Sequence, residues 1–140
     1  GLRKLSFYKK IEKILNGLLS GFVSIWKVEN KLLFFVYTFS MWGFYYLMVY
    51  FSFFTLEGTS NLGLIDGLTI LAIGSLGVVA PVPGGIGAYH WLIITSLVSI
   101  YSISAPIASS YAFISHIAQI LSIVILGLFS YFMITFYKKR

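Results

Sequence analysis

The chain has 140 residues, of which 59% are hydrophobic and 10% charged, and its mean hydropathy is +0.92; soluble domains are roughly 45–50% apolar and 25% charged, so it reads as an integral membrane protein forming one transmembrane domain, 1–140. With no cysteine, disulfides, thiolate catalysis and cysteine-based metal sites are excluded. The net charge of +6 lies in two blocks that flank apolar segments instead of forming a patch interleaved with aromatics, which excludes nucleic acid as a partner.

The first basic block comprises Arg3, Lys4, Lys9, Lys10, Lys13, Lys27 and Lys31, and the second Lys138, Lys139 and Arg140. Under the positive-inside rule both termini face the cytoplasm, and each basic residue near the surface attracts anionic headgroups by about 1 kcal/mol. Residues 1–31 show no signal-peptide cleavage pattern, and a start at Gly1 rather than Met reads as a piece of a longer protein. Between residues 5 and 26, Leu5, Tyr8, Ile11, Leu15, Leu18, Leu19, Phe22 and Trp26 recur at helical spacing. This predicts a basic amphipathic helix lying in the membrane interface; the alternative is the end of a span that starts earlier.

Residues 32–54 carry no charge and are long enough to cross a core of about 30 Å. Tyr37, Trp42, Tyr45, Tyr46 and Tyr50 suit interfacial anchoring or helix packing, with Ser40, Trp42 and Gly43 offering a packing stripe. From Thr55 to Asp66 there are Glu57 and Asp66 but no Lys or Arg, as in an external loop. Both acids are expected to be solvated, although Asp66 could cap the following helix. Leu64–Ala80 spans about 25 Å if helical and Ala88–Tyr101 is shorter still, so the favoured reading of 64–104 is a re-entrant pair of half-spans. Four full spans satisfy the same parity. Ala105–Tyr137 is uncharged and longer than a bilayer needs, so it tilts or projects. The expected fold is therefore an all-α polytopic membrane bundle with a broken-helix hairpin.

The break is Ala80-Pro81-Val82-Pro83-Gly84-Gly85-Ile86-Gly87-Ala88-Tyr89-His90. Pro81 and Pro83 remove donors and disfavour helix in the residues before them, while Gly84, Gly85 and Gly87 permit positive φ or close approach. Non-helical backbone at membrane depth survives only where protein or a water-filled cavity covers it. If a helix starts between Gly85 and His90, its free amides and dipole suit an anionic headgroup; the plain structural reading is a kink that lets helices pack. The glycine spacing fits neither a dinucleotide fingerprint nor a Walker loop. His90 and His116 are buried-polar suspects, or simply neutral rings satisfied by one bond. Ser109, Ala112, His116, Gln119, Ile123, Gly127 and Ser130 form a small and polar stripe that should face protein or a cavity, with His116 and Gln119 placed to meet the break. Two histidines without a nearby carboxylate make an incomplete ligand set, so no metal and no cofactor is expected.

Pro83-Gly84-Gly85-Ile86-Gly87, an Ala/Ser-rich helix start at Ala105–Ala112, Gly127, and Ser40 with Trp42 in the first span resemble the C-terminal part of the lysylphosphatidylglycerol synthase transmembrane, or flippase-like, family. Two departures stand out. His90 occupies a position where the family pattern commonly has Glu, and His116 one where it has Arg, which suggests that the two positions are neighbours exchanged together. The resemblance implies a multi-pass protein of the bacterial inner membrane, not an enzyme, that moves a lipid or isoprenoid-linked amphiphile. Membrane lipids, anionic headgroups and further helices of the same protein would be its partners, Pro83, Gly84, Gly85, Gly87, His90, His116 and Gln119 would line the path, and the tails would stay in lipid. Two other readings remain open: the membrane part of an aminoacyl-phospholipid synthase, and a non-catalytic assembly module.

Overall fold

A computed structural model describes residues 2–137. They form five α-helices: α1 (Leu2–Trp26), α2 (Lys31–Ser52), α3 (Leu64–Val79), α4 (Ala88–Tyr101) and α5 (Ala105–Tyr137). There is no strand among the described residues. The chain divides into two compact units, Gly1–Met41 and Trp42–Arg140.

In the first unit the predicted amphipathic segment is one continuous helix, and Tyr8, Ile11, Leu15, Leu19, Phe22 and Trp26 on α1 are all exposed. A turn separates α1 from α2: the Lys27 N–H donates to the Ser24 carbonyl, and Asn30 Oδ1 accepts from the Leu33 N–H at 3.0 Å. That bond satisfies one of the orphan amides at the start of α2. The Lys31 ammonium lies 5.3 Å from the Trp26 ring centroid, within cation–π range.

The second unit is built around aromatic and glycine contacts. α2 gives way to a 3-10 turn at Phe53–Thr55, where the Thr59 hydroxyl donates to the Phe53 carbonyl at 2.7 Å. Phe53 is fully buried and stacks on Tyr111 of α5 with centroids 5.3 Å apart; the Tyr111 hydroxyl donates to the Val49 carbonyl at 3.0 Å. A single side chain thus ties α5 to the end of α2 by stacking and by a bond to a carbonyl. The Tyr46 hydroxyl makes a similar tie to the Leu64 carbonyl, at 3.0 Å.

α3 packs on α4 through its glycines. Gly67, Gly74 and Gly77 share one buried face with Ile70, the three- and four-residue spacing of a helix stripe, and a Cβ at Gly77 would lie 2.6 Å from the Tyr89 Cα. Only glycine lets the two backbones come so close. Tyr89, Ile93, Ser96 and Leu97 form the buried face of α4. At the start of α3, Asp66 Oδ2 accepts from the Gly63 N–H at 2.7 Å, so Asp66 is a capping residue and not merely a solvated loop charge.

α2 extended to Thr55 (25 residues) and α5 (33 residues) are long and apolar enough to cross a membrane. α3, with 16 residues, and α4, with 14, reach only about 24 and 21 Å. The polar stripe of α5 is covered for only part of its length. Ala112, Ser115 and His116 are buried, whereas a Cβ added at Gly127 would meet nothing within 4 Å and Ser130 is exposed. Within this chain the stripe is covered only up to Ile123, because α4 is too short to accompany α5 further. In α2, likewise, Gly43 meets no neighbour, and of the predicted packing stripe Trp42 alone lines a cavity.

Candidate functional site

Between α3 and α4 the backbone leaves the helix as the prolines require. Ala80 and Val82, each before a proline, are extended. Pro83–Gly85 form one 3-10 turn, closed by Gly85 N–H to the Val82 carbonyl and Ile86 N–H to the Pro83 carbonyl. Gly84, Gly85 and Gly87 have φ of 62°, 69° and 87°, a region that any side chain would enter under strain. Gly85 is buried against α3, where a Cβ would stand 2.9 Å from the Val78 Cα; Pro83 is exposed.

Two histidines bridge the open segment. The Gly87 N–H donates to His90 Nδ1 at 3.3 Å, His90 Nε2 and His116 Nδ1 are 3.3 Å apart, and His116 Nε2 is 3.1 Å from the Gly84 carbonyl oxygen. A backbone amide can only donate, so in an uncharged His90 the proton sits on Nε2 and points at His116 Nδ1; His116 then carries its own proton on Nε2 and donates to Gly84. All four ring nitrogens are used, and the chain runs in one direction. His116 is buried, stacked on Tyr89 with centroids 4.6 Å apart, and His90 lies against Phe113 at 4.4 Å.

A second chain of bonds lies beside the first. Gln119 Nε2 donates to the Tyr89 hydroxyl at 3.2 Å, that hydroxyl is 3.1 Å from Ser115 Oγ, and Ser115 donates to the Ala112 carbonyl at 3.3 Å. Of the residues singled out in the sequence, Gly84, Gly87, His90 and His116 meet directly. Gln119 joins them only through Tyr89, and Pro83 and Gly85 shape the turn without touching the imidazoles. Tyr89 and Ser115 escaped notice in the sequence; the signal available was that a tyrosine flanking the break must find a partner for its hydroxyl once buried.

Gly85 and Gly87 spend their amides within the segment, whereas the N–H groups of Gly84 and of Ala88, Tyr89 and His90, the first turn of α4, donate to no protein acceptor among the described residues. No group of three or more metal-ligating side chains occurs among the described residues.

Compared with known proteins, the chain matches the family described as "Lysylphosphatidylglycerol synthase TM region" over residues 2–127. Neither the curated proteins nor the solved structures yielded a match. With the match covering nearly the whole chain, and with two helices long and apolar enough to cross a bilayer, this is a membrane protein and belongs to the lysylphosphatidylglycerol synthase transmembrane family.

Proposed function

We propose that the chain is a multi-pass protein of the bacterial inner membrane, with both termini cytoplasmic, that moves a lipid or isoprenoid-linked amphiphile by holding its anionic headgroup at the broken helix. The family gives the membrane-lipid setting. The observation that carries the headgroup reading is the open first turn of α4, three unpartnered amides beside a segment with no formal charge of its own. Such a helix start attracts anions through its donors and dipole.

Depth supports a re-entrant arrangement of α3 and α4. The loop at Gly58 packs on Ile107 near the start of α5, so the outer ends of α3 and α5 lie together. His116, which holds Gly84, is eleven residues beyond Ala105, about 17 Å along the helix. If Ala105 lies at the edge of a core of about 30 Å, the break would sit near its middle, where open backbone is tolerated only if protein or a cavity covers it. On this reading the chain handles lipid without chemistry of its own. A catalytic role as part of an aminoacyl-phospholipid synthase would need reacting groups, and the polar side chains gathered at the break are bonded to one another.

The test is the movement of headgroup-labelled phosphatidylglycerol in vesicles containing the purified chain, read by the fraction of label that an impermeant reductant reaches. The proposal requires a larger accessible fraction than in protein-free vesicles; equal fractions would refute it.

A further inference from the structure

The second unit contains a partly open cavity of about 330 Å³ bounded by the end of α2, the glycine face of α3, the turn at Gly84 and the middle of α5, with Val78, Val79 and Ile123 exposed at its rim. Trp42, Tyr45, Val78, Ile120 and Ile123 give it aromatic and aliphatic walls, and no Asp, Glu, Lys or Arg borders it. Most of the polar groups that border it are spent on protein. His116 uses both ring nitrogens, the Gly84 carbonyl accepts from His116, the Tyr89 hydroxyl is bonded to Gln119 and Ser115, and Ser75 donates to the Ala72 carbonyl. Among the described residues, the Gln119 amide oxygen, the Trp42 indole N–H and the Tyr45 hydroxyl have no protein partner. An anionic headgroup that entered this space would lose its hydration and find no opposite charge and few neutral donors in return.

We infer that this cavity takes the hydrocarbon chain of a membrane amphiphile, acyl or prenyl. The inference rests on the lipid-handling reading above and assigns the two ends of the ligand to different places: the headgroup to the first turn of α4, and part of the chain to this partly open cavity. The sequence alone suggested that tails stay in lipid. Apolar walls without charge favour a hydrocarbon over a hydrated headgroup, and the volume lies in the range of small-molecule sites. With each methylene taking somewhat less than the ~30 Å³ share of a water molecule, it corresponds to a chain of on the order of ten carbons. The imidazole chain fits this role, since by consuming every ring nitrogen it leaves the histidine side of the wall without a free imidazole donor.

Trp42 in the wall supplies the reporter. The full chain carrying Trp26→Phe and Trp91→Phe, in detergent micelles, is titrated with phosphatidylglycerol or phosphatidylcholine brominated in the acyl chain, and quenching of Trp42 is read. Saturable quenching by both lipids is expected, with half-saturation raised about tenfold by Ile123→Phe or Val78→Phe, which narrow the cavity, and unchanged by Leu128→Phe, which lies outside it. Displacement by decanol or by the branched prenol geraniol separates an acyl from a prenyl preference; displacement by neither overturns the inference, as does quenching that rises linearly and equally in every variant. Saturable quenching without lipid movement in the vesicle assay removes the transport reading and leaves this one standing; lipid movement without saturable quenching does the reverse.

Discussion

At the scale of single residues, the site is defined by four imidazole nitrogens that all find partners between Gly84 and Gly87. That arrangement specifies both tautomers. Long-range 15N–1H NMR of histidine-labelled protein should show both rings protonated at Nε2 and bare at Nδ1; an Nδ1–H form of either ring would contradict these bond directions. His116→Ala removes two of the three links and leaves the Gly84 carbonyl without its donor, which should cost roughly 1–3 kcal/mol, measured as a loss of stability to denaturant in micelles. His116→Phe preserves the stack on Tyr89 but not the bonds, so it should recover only part of the loss. The adjacency of positions 90 and 116 was legible because two departures from one family pattern suggested a pair. The Tyr89–Ser115–Gln119 chain was not, since a hydroxyl's partner depends on which faces of two helices meet, and tyrosine is common throughout this sequence.

Among the helices, α3 and α4 depend on the missing side chains of their glycines. Gly77→Ala would drive a methyl group into the Tyr89 backbone and should destabilise by about 1–3 kcal/mol, as overpacking does, whereas Gly127→Ala, in open space, should stay within about 0.5 kcal/mol; parallel thermal unfolding in detergent compares them. Helix boundaries were readable where chemistry punctuates the chain. Pro81, Pro83 and the glycines fixed the end of α3 and the start of α4, and α5 begins at the predicted Ala105. Less was readable where punctuation is weak: α1 begins at Leu2 rather than Leu5, and α2 turns into a 3-10 segment at Phe53 with no breaker residue present, because Thr59 and Tyr111 supply the competing bonds from a distance. Burial was the hardest to foresee, as in the polar stripe of α5, whose exposure past Ile123 is set by the length of α4. The half-span reading makes its own prediction: a cysteine at Val82 should resist impermeant maleimide from the cytoplasmic face of oriented membrane vesicles, and labelling there would favour four complete spans.

For the molecule as a whole, the composition established the solvent, the family match established the lineage, and the hydrogen-bond accounting separates a donor-bearing helix start from a partly open, largely apolar cavity. Together they support the proposal that the protein holds an amphiphile at both ends. The most direct measurement is reductant accessibility of labelled phosphatidylglycerol in vesicles holding either the native chain or Gly87→Leu, which forces a side chain onto a φ of 87° at the first link of the imidazole chain. The account predicts that the native chain moves lipid faster than protein-free vesicles and that Gly87→Leu, inserted and folded by circular dichroism, loses most of that gain. Equal rates for native, variant and protein-free vesicles would contradict it.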